Sequence, residues 1–319
     1  MSIKTKNSNL IKQIVKRELS ENTRSIFQIE GKGIVNQVFI VQTDLSKVIV
    51  RINAAPGTFE MYQKEKWCIE QSALQDIPGP DVLAIGQIDQ VVYMIQTYIT
   101  GKNADVTLIN KAEIWWKLGE YTRRVHTIPT NGFGDILTDS NNGTFRASTH
   151  DGFNGTWHSF IQYNINSLTS KDPLIELGVL SNKDTKNVKR NFEKLLEEHF
   201  EFGLNHGDLS LQNTMVDDEG KIFLLDWGSA GVQVKPYWDV IQLIKRQVTL
   251  EWPKQVEINA FLEGYGLEKN SFPHWESNLE SLLLLDAFDK LRWAIDCQPD
   301  RIPFFVTYAK QLKKRIQIL

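Results

Sequence analysis

The sequence predicts an α+β fold in two parts, with strands gathered in the first third of the chain and helices filling the rest. Three observations carry this expectation. Short runs alternating apolar and polar residues recur between residues 25 and 95, separated by segments containing Gly, Pro, Asn or Asp. From Leu108 onward, apolar residues recur at helical spacing over long segments. The chain also has 319 residues with 41% hydrophobic content, enough to bury a core in each of two lobes or domains.

Composition narrows the function classes. A formal net charge of −3 gives no basic footprint for nucleic acid. The two cysteines, Cys68 and Cys297, form no CxxC pair, and the six histidines show no metal-ligand spacing, so neither a disulfide framework nor a thiolate or His-type metal site is expected. The first twenty residues mix Lys, Asn and Ser with short apolar pairs, and no run approaches the length of a membrane span. A cytoplasmic protein with no membrane or nucleic-acid partner is expected, as a monomer with a dimer as the alternative.

In order, Leu10, Ile11, Ile14, Val15 and Leu19 have helical spacing behind Ser8 and Asn9, which can cap a helix there. Ser25–Glu30 and Gln37–Gln42 read as strands joined by Gly31-Lys-Gly-Ile-Val-Asn36. Gly31 and Gly33 let that turn bring amide hydrogens near phosphate oxygens, with Lys32 adding charge. The next strand, Lys47–Ile52, puts Ile49 and Arg51 on one face by alternation, an apolar residue beside a cation. Pro56-Gly57 breaks the chain, and Thr58 can cap a helix reaching about Gln75 that carries Glu60, Glu65 and Glu70. Val82–Ile85 and Val91–Ile95 read as two further strands. Ile114, Leu118, Tyr121 and Val125 mark a long buried helix within 108–128, whereas 141–155 is polar, Gly-rich and loop-like. Further helices are expected to open at Trp157 and to cover 188–200, and the basic segment 310–319 reads as a solvated helix face.

The stretch His206-Gly-Asp-Leu-Ser-Leu-Gln-Asn213 has no helical period and reads as a loop. Thr214-Met-Val216 and Lys221–Leu225 flank Asp-Asp-Glu-Gly220 as a short hairpin should, which returns Asp226 of Asp226-Trp-Gly228 toward Asn213. Phosphoryl transfer needs a carboxylate to align the attacking hydroxyl and oxygen ligands to hold magnesium on the phosphates. Asp208 suits the first requirement, and Asn213 with Asp226 the second.

This loop, hairpin and second aspartate resemble the catalytic segment of the protein-kinase-like fold, and the HGD and DWG spellings resemble its aminoglycoside phosphotransferase and choline kinase branch. The resemblance implies a two-lobed fold with a small antiparallel-sheet N-lobe over residues 1–96, a hinge at 97–101 and a mostly helical C-lobe over 102–319. It implies ATP or GTP as donor and Mg²⁺ as cofactor. Gly31, Lys32, Gly33 and Asn36 would form the nucleotide loop, Ile49 would cover the base, and Thr97, Tyr98 and Ile99 would be the hinge contacts. Arg51 stands where the kinase pattern has Lys, and Glu65, twelve residues before the Ile77-Pro-Gly-Pro80 turn, would be its partner. His206 and Asp239, the latter in Pro236-Tyr-Trp-Asp239, would be structural, Asp239 capping a helix or tying down the catalytic loop. Asp239 comes only thirteen positions after Asp226, too few for a protein-kinase activation loop.

One helix, from about Leu282 to Cys297, suggests where an acceptor binds. Leu284, Phe288, Leu291 and Ile295 cluster as its core face, which sets Asp286, Asp289, Trp293 and Asp296 opposite, on an outward face. Carboxylates beside an aromatic ring suit a polyhydroxylated amine. The expected function is a kinase acting on a hydroxyl of a small molecule, with an aminoglycoside-like antibiotic or other amino sugar as the first acceptor class, consistent with antibiotic resistance. Choline, a sugar, an amino alcohol or a macrolide is the alternative acceptor. A non-catalytic nucleotide-binding regulator is the alternative of another class, opposed by the presence of every residue the chemistry needs.

Overall fold

The structure is a computed structural model and describes residues 3–29, 36–267 and 274–316. The elements run α1 (Ile3–Leu19), β1 (Thr23–Ile29), β2 (Gln37–Thr43), β3 (Lys47–Asn53), α2 (Thr58–Ala73), β4 (Val82–Ile88), β5 (Val91–Thr97) and β6 (Lys102–Asn103). There follow α3 (Lys111–Val125), β7 (Asn131–Phe133), β8 (Ile136–Asp139), β9 (Thr144–Arg146), α4 (Trp157–Ser167), α5 (Pro173–Glu176), α6 (Asn182–Glu197) and β10 (Phe202–Asn205). The chain continues with β11 (Thr214–Val216), β12 (Ile222–Leu224), β13 (Gly231–Val234), α7 (Tyr237–Leu250), α8 (Gln255–Tyr265), α9 (Trp275–Cys297) and α10 (Ile302–Ile316). Contacts divide them into a first unit, Met1–Leu108 with Ser210–Gly228, and a second, Ile109–Leu209 with Ser229–Leu319.

The first unit is built on an antiparallel five-stranded sheet in the order β1-β2-β3-β5-β4, as the alternation predicted. On β3, Val48, Val50 and Ile52 point to one face, where they bury Ile11, Ile14 and Val15 of α1 together with Phe39 and Val41. Burial of each α1 side chain contributes about 1.5–3 kcal/mol, which a lone amphipathic helix in water would forgo. The other face of the sheet receives α2, with Tyr62 packed on Val92 and Met94. Alternation therefore delivers Arg51 to the α2 side. The hairpin of β11 and β12 belongs to this unit, β11 pairing with both β12 and β6.

In the second unit, α3 and α8 approach closely because Gly119 meets the Phe261 carbonyl and Gly264 the Trp116 carbonyl, and a Cβ at either position would overlap backbone. The antiparallel pair β10 and β13 carries the chain to the 206–213 loop and away from Ser229. Phe133, Trp157, Phe160 and Phe202 form an aromatic cluster beside it.

Several local expectations are corrected. α1 begins at Ile3, so Ser8 and Asn9 lie inside it, and the residue before α2 is Gly57 in a left-handed conformation, with the Thr58 hydroxyl turned to the Ala55 carbonyl. α6 starts at Asn182, because Ser181 and Asp184 form a capping box there. Residues 141–155 are not all loop: β9 sits between β7 and β8 in a small sheet that buries Phe145. α10 is amphipathic, burying Phe305, Tyr308, Ala309 and Leu312.

Candidate active site

In the first unit, β3 and α2 bring Arg51 and Glu65 together. Arg51 Nη1 lies 2.5 Å from Glu65 Oε1, and Arg51 Nη2 lies 3.7 Å from Asp226 Oδ1. Burial works against the Arg51 charge, but Glu65 and Asp226 more than offset it and hold its pKa above the ordinary arginine value. The guanidinium also stands 5.3 Å over the Tyr62 ring. The Tyr62 hydroxyl donates to Asn36 Oδ1 at 3.0 Å, and Asn53 Nδ2 donates to the same oxygen at 3.0 Å. Gly31, Lys32 and Gly33 lie outside the described residues. Ile49 is half-buried in β3. The Thr97 hydroxyl accepts from the Asp81 amide, Tyr98 lies beneath the Lys47 ammonium at 3.8 Å, and Ile99 is half-buried.

The hairpin does return the chain to its start, since the Leu225 amide donates to the Asn213 carbonyl at 2.9 Å. Asp226 follows in the left-handed region, φ 61°, a conformation that costs a non-glycine residue about 1–2 kcal/mol and aims its half-exposed side chain. Lys64 Nζ donates to the Gly228 carbonyl at 2.9 Å and so holds the turn beyond it. Among the described residues, no group of three or more His, Cys, Asp or Glu side chains could hold a metal ion. Mg²⁺ does not require one. It is commonly held by one or two protein oxygens with phosphates and waters, and a carboxylate at Asp226 with an amide oxygen at Asn213 is such a hard-oxygen set.

In the second unit, β10 ends at Asn205 and leads into buried His206, whose Nδ1 accepts from the Asp208 amide at 3.3 Å. Gly207, φ 79°, sits against the Ser229 carbonyl where no Cβ would fit. The Asp208 side chain is 41% exposed, and its Oδ1 accepts a hydrogen bond from Arg246 Nη2. Sequence reasoning missed Arg246. A signal existed, because Arg246 lies seven residues after Asp239 and thus within about 20° of it around α7.

Asp239 does not make the expected capping bond. It is buried in the first turn of α7, and its Oδ2 lies 3.0 Å from His126 Nε2, while His126 Nδ1 lies 2.8 Å from the Tyr265 hydroxyl. Burial pushes the pKa of that hydroxyl up, which keeps it protonated.

α9 presents only part of the expected outward face: Trp293 and Asp296 are exposed and Asp289 is half-buried, but Asp286 is not exposed. Residues 281–288 are buried all round, including Asp286, whose carboxylate lies 3.6 Å from Lys245 Nζ with neither oxygen hydrogen-bonded. Asp289 Oδ1 accepts from Asn164 Nδ2 at 3.3 Å, and burial raises its pKa. Trp293 is partly exposed and edge-on to Phe305. Asp296 lines a cleft of about 290 Å³ with Tyr163, Ser167, Lys171 and Arg292.

The family described as phosphotransferase enzyme family matches residues 28–277. No curated protein matches the chain by sequence. Similar solved structures include a thermostable mutant of aminoglycoside phosphotransferase APH(4)-Ia in ternary complex with AMP-PNP and hygromycin B, at 15% identity and TM-score 0.65 over 97% of this chain and 98% of that one. Spectinomycin phosphotransferase APH(9)-Ia, in complex with ADP and spectinomycin, has 14% identity and TM-score 0.57 over 98% of both chains. A Haemophilus somnus protein provisionally assigned as a fructosamine-3-kinase has 15% identity and TM-score 0.60 over 96% of both chains. At these identities the likeness is one of fold. The expected α+β, kinase-like architecture, with an antiparallel-sheet N-terminal region and a helical C-terminal region, is borne out. Among the described residues, no helix is long and apolar enough to cross a membrane.

Proposed function

The chain belongs to the phosphotransferase enzyme family, and on that footing we propose that it moves the γ-phosphoryl group of ATP or GTP to a hydroxyl of a small molecule. The hydroxyl oxygen forms a bond to the γ-phosphorus as the bond to the leaving nucleoside diphosphate breaks, and Asp208 takes the hydroxyl proton. Asn213 and Asp226 would hold Mg²⁺, which when bound neutralises phosphate charge. Arg51, kept charged and oriented by Glu65, positions phosphate oxygens. The observation that carries this reading is the Glu65–Arg51–Asp226 chain of contacts. It joins a sheet strand, a helix and the DWG turn around one buried guanidinium.

For the acceptor, the proposal is a polyhydroxylated amine of the aminoglycoside or amino-sugar class. The similar structures bind hygromycin B and spectinomycin, and Asp289, Trp293 and Asp296 offer acidic and aromatic groups for the amine. A sugar-amine acceptor of fructosamine type is the second reading. A coupled nucleotide-consumption screen over aminoglycosides, amino sugars, fructosamines, choline and macrolides tests the assignment. Acceptor-dependent consumption that Asp208→Ala and Asp226→Ala both abolish, with native circular dichroism, is the expected result. Activity retained in both variants sinks the mechanism.

A further inference from the structure

Arg246 has no part in the chemistry described so far, yet its guanidinium donates directly to the carboxylate of Asp208. It projects from α7, and its guanidinium carbon stands 5.5 Å over the ring of Trp252. Only 21% of its side chain is exposed. A planar cation held between an indole face and a carboxylate loses little further freedom on forming a productive arrangement, so it fixes the rotation of the acid it contacts. Lys245, the neighbouring cation on α7, turns instead to Asp286.

We infer that Arg246 is the positioning residue for Asp208 and sets the charge an acceptor can carry beside its reacting hydroxyl; this rests on Asp208 being the base. Because the guanidinium neutralises the carboxylate, an ammonium group next to the reacting hydroxyl meets a cation and no free acid. The acceptor that fits is a hydroxyl flanked by neutral groups, as in a sugar ring, with any amines at a distance. Asp296, exposed near the end of α9 and lining a cleft, is available for such a remote amine.

The test uses the full chain and compares Arg246→Gln, Arg246→Lys and Arg246→Ala with Asp208→Asn. Transfer to water is followed as basal nucleotide hydrolysis. D-glucose and D-glucosamine are compared as acceptors or as competitive inhibitors of that hydrolysis. Arg246→Gln is expected to lower kcat roughly 10- to 100-fold with KM for nucleotide changed less than about threefold, the pattern of lost positioning. Arg246→Lys is expected to retain more activity than Gln. Added guanidinium, at about 50 mM, is expected to restore part of the Arg246→Ala activity and none of the Asp208→Asn activity. The preference for glucosamine over glucose is expected to rise about tenfold in Arg246→Gln. Wild-type kcat in Arg246→Gln overturns the positioning role, as does an equal loss in all three Arg246 variants without rescue. An unchanged sugar preference overturns the charge selection. Wild-type kcat in Asp208→Asn overturns the base assignment itself, a result distinct from either.

Discussion

Glu65 in the first unit and Asp286 in the second are buried alike, at 0% and 2% exposure, but they are compensated differently. Removing either carboxylate from water costs several kcal/mol. Glu65 recovers part of that through a charge-assisted hydrogen bond from Arg51, which is itself tied to Asp226. Asp286 faces a lysine at 3.6 Å and has no hydrogen bond at either oxygen. Lys245 also stands 5.7 Å from the rings of Phe305 and Tyr308, so its ammonium is shared among several weak partners. The contrast teaches that burial alone does not mark a working carboxylate. What distinguishes Glu65 is a rigid, bidentate-capable partner that a third acid holds in place.

That contrast can be broken at either end. The largest effect is expected from Asp226→Asn, which removes the charge at the end of the Glu65–Arg51 chain: turnover should fall at least about a thousandfold in steady-state assays while the fold persists. Next, Arg51→Ala strands Glu65 without its partner and should destabilise the protein by about 3–5 kcal/mol in urea titration. A loss below about 1 kcal/mol would mean that Arg51 does not compensate Glu65. Replacing the whole weak pair, in Asp286→Leu with Lys245→Met, should have the opposite sign, neutral or stabilising by about 1–4 kcal/mol, read as a raised midpoint. A clear destabilisation there would put Asp286 on the same footing as Glu65. The smallest change is expected from Trp293→Ala, within about 1 kcal/mol of wild-type stability because the ring is partly exposed. A several-fold rise in acceptor KM in that variant would support its proposed contact.

Much of the first unit is legible in the amino-acid sequence. The alternation in 47–52 and 91–95 marks both the strands and the face that carries Arg51, whereas only the resemblance to the kinase pattern, through the distance to Ile77, picks Glu65 from three acids on one helix. The Asp217–Gly220 turn likewise announces the hairpin that brings Leu225 back to Asn213. The second unit is less readable. A helical wheel divides α9 into two faces, yet α4, α6, α7 and α10 all pack on this helix, so the face expected to point outward has no solvent at Asp286. His126 likewise carries no local signal, because its partners Asp239 and Tyr265 lie 113 and 139 residues away.

Local pattern therefore determined this protein's element types and its sheet and picked out the residues proposed for phosphoryl transfer, because alternation, turn chemistry and short spacings are properties of neighbouring residues. Tertiary structure alone decided which acids are buried, that Arg246 lies on Asp208, and that Asp239 answers to His126. Those facts depend on which helices pack together, and a long-range pairing leaves no period in the chain that makes it.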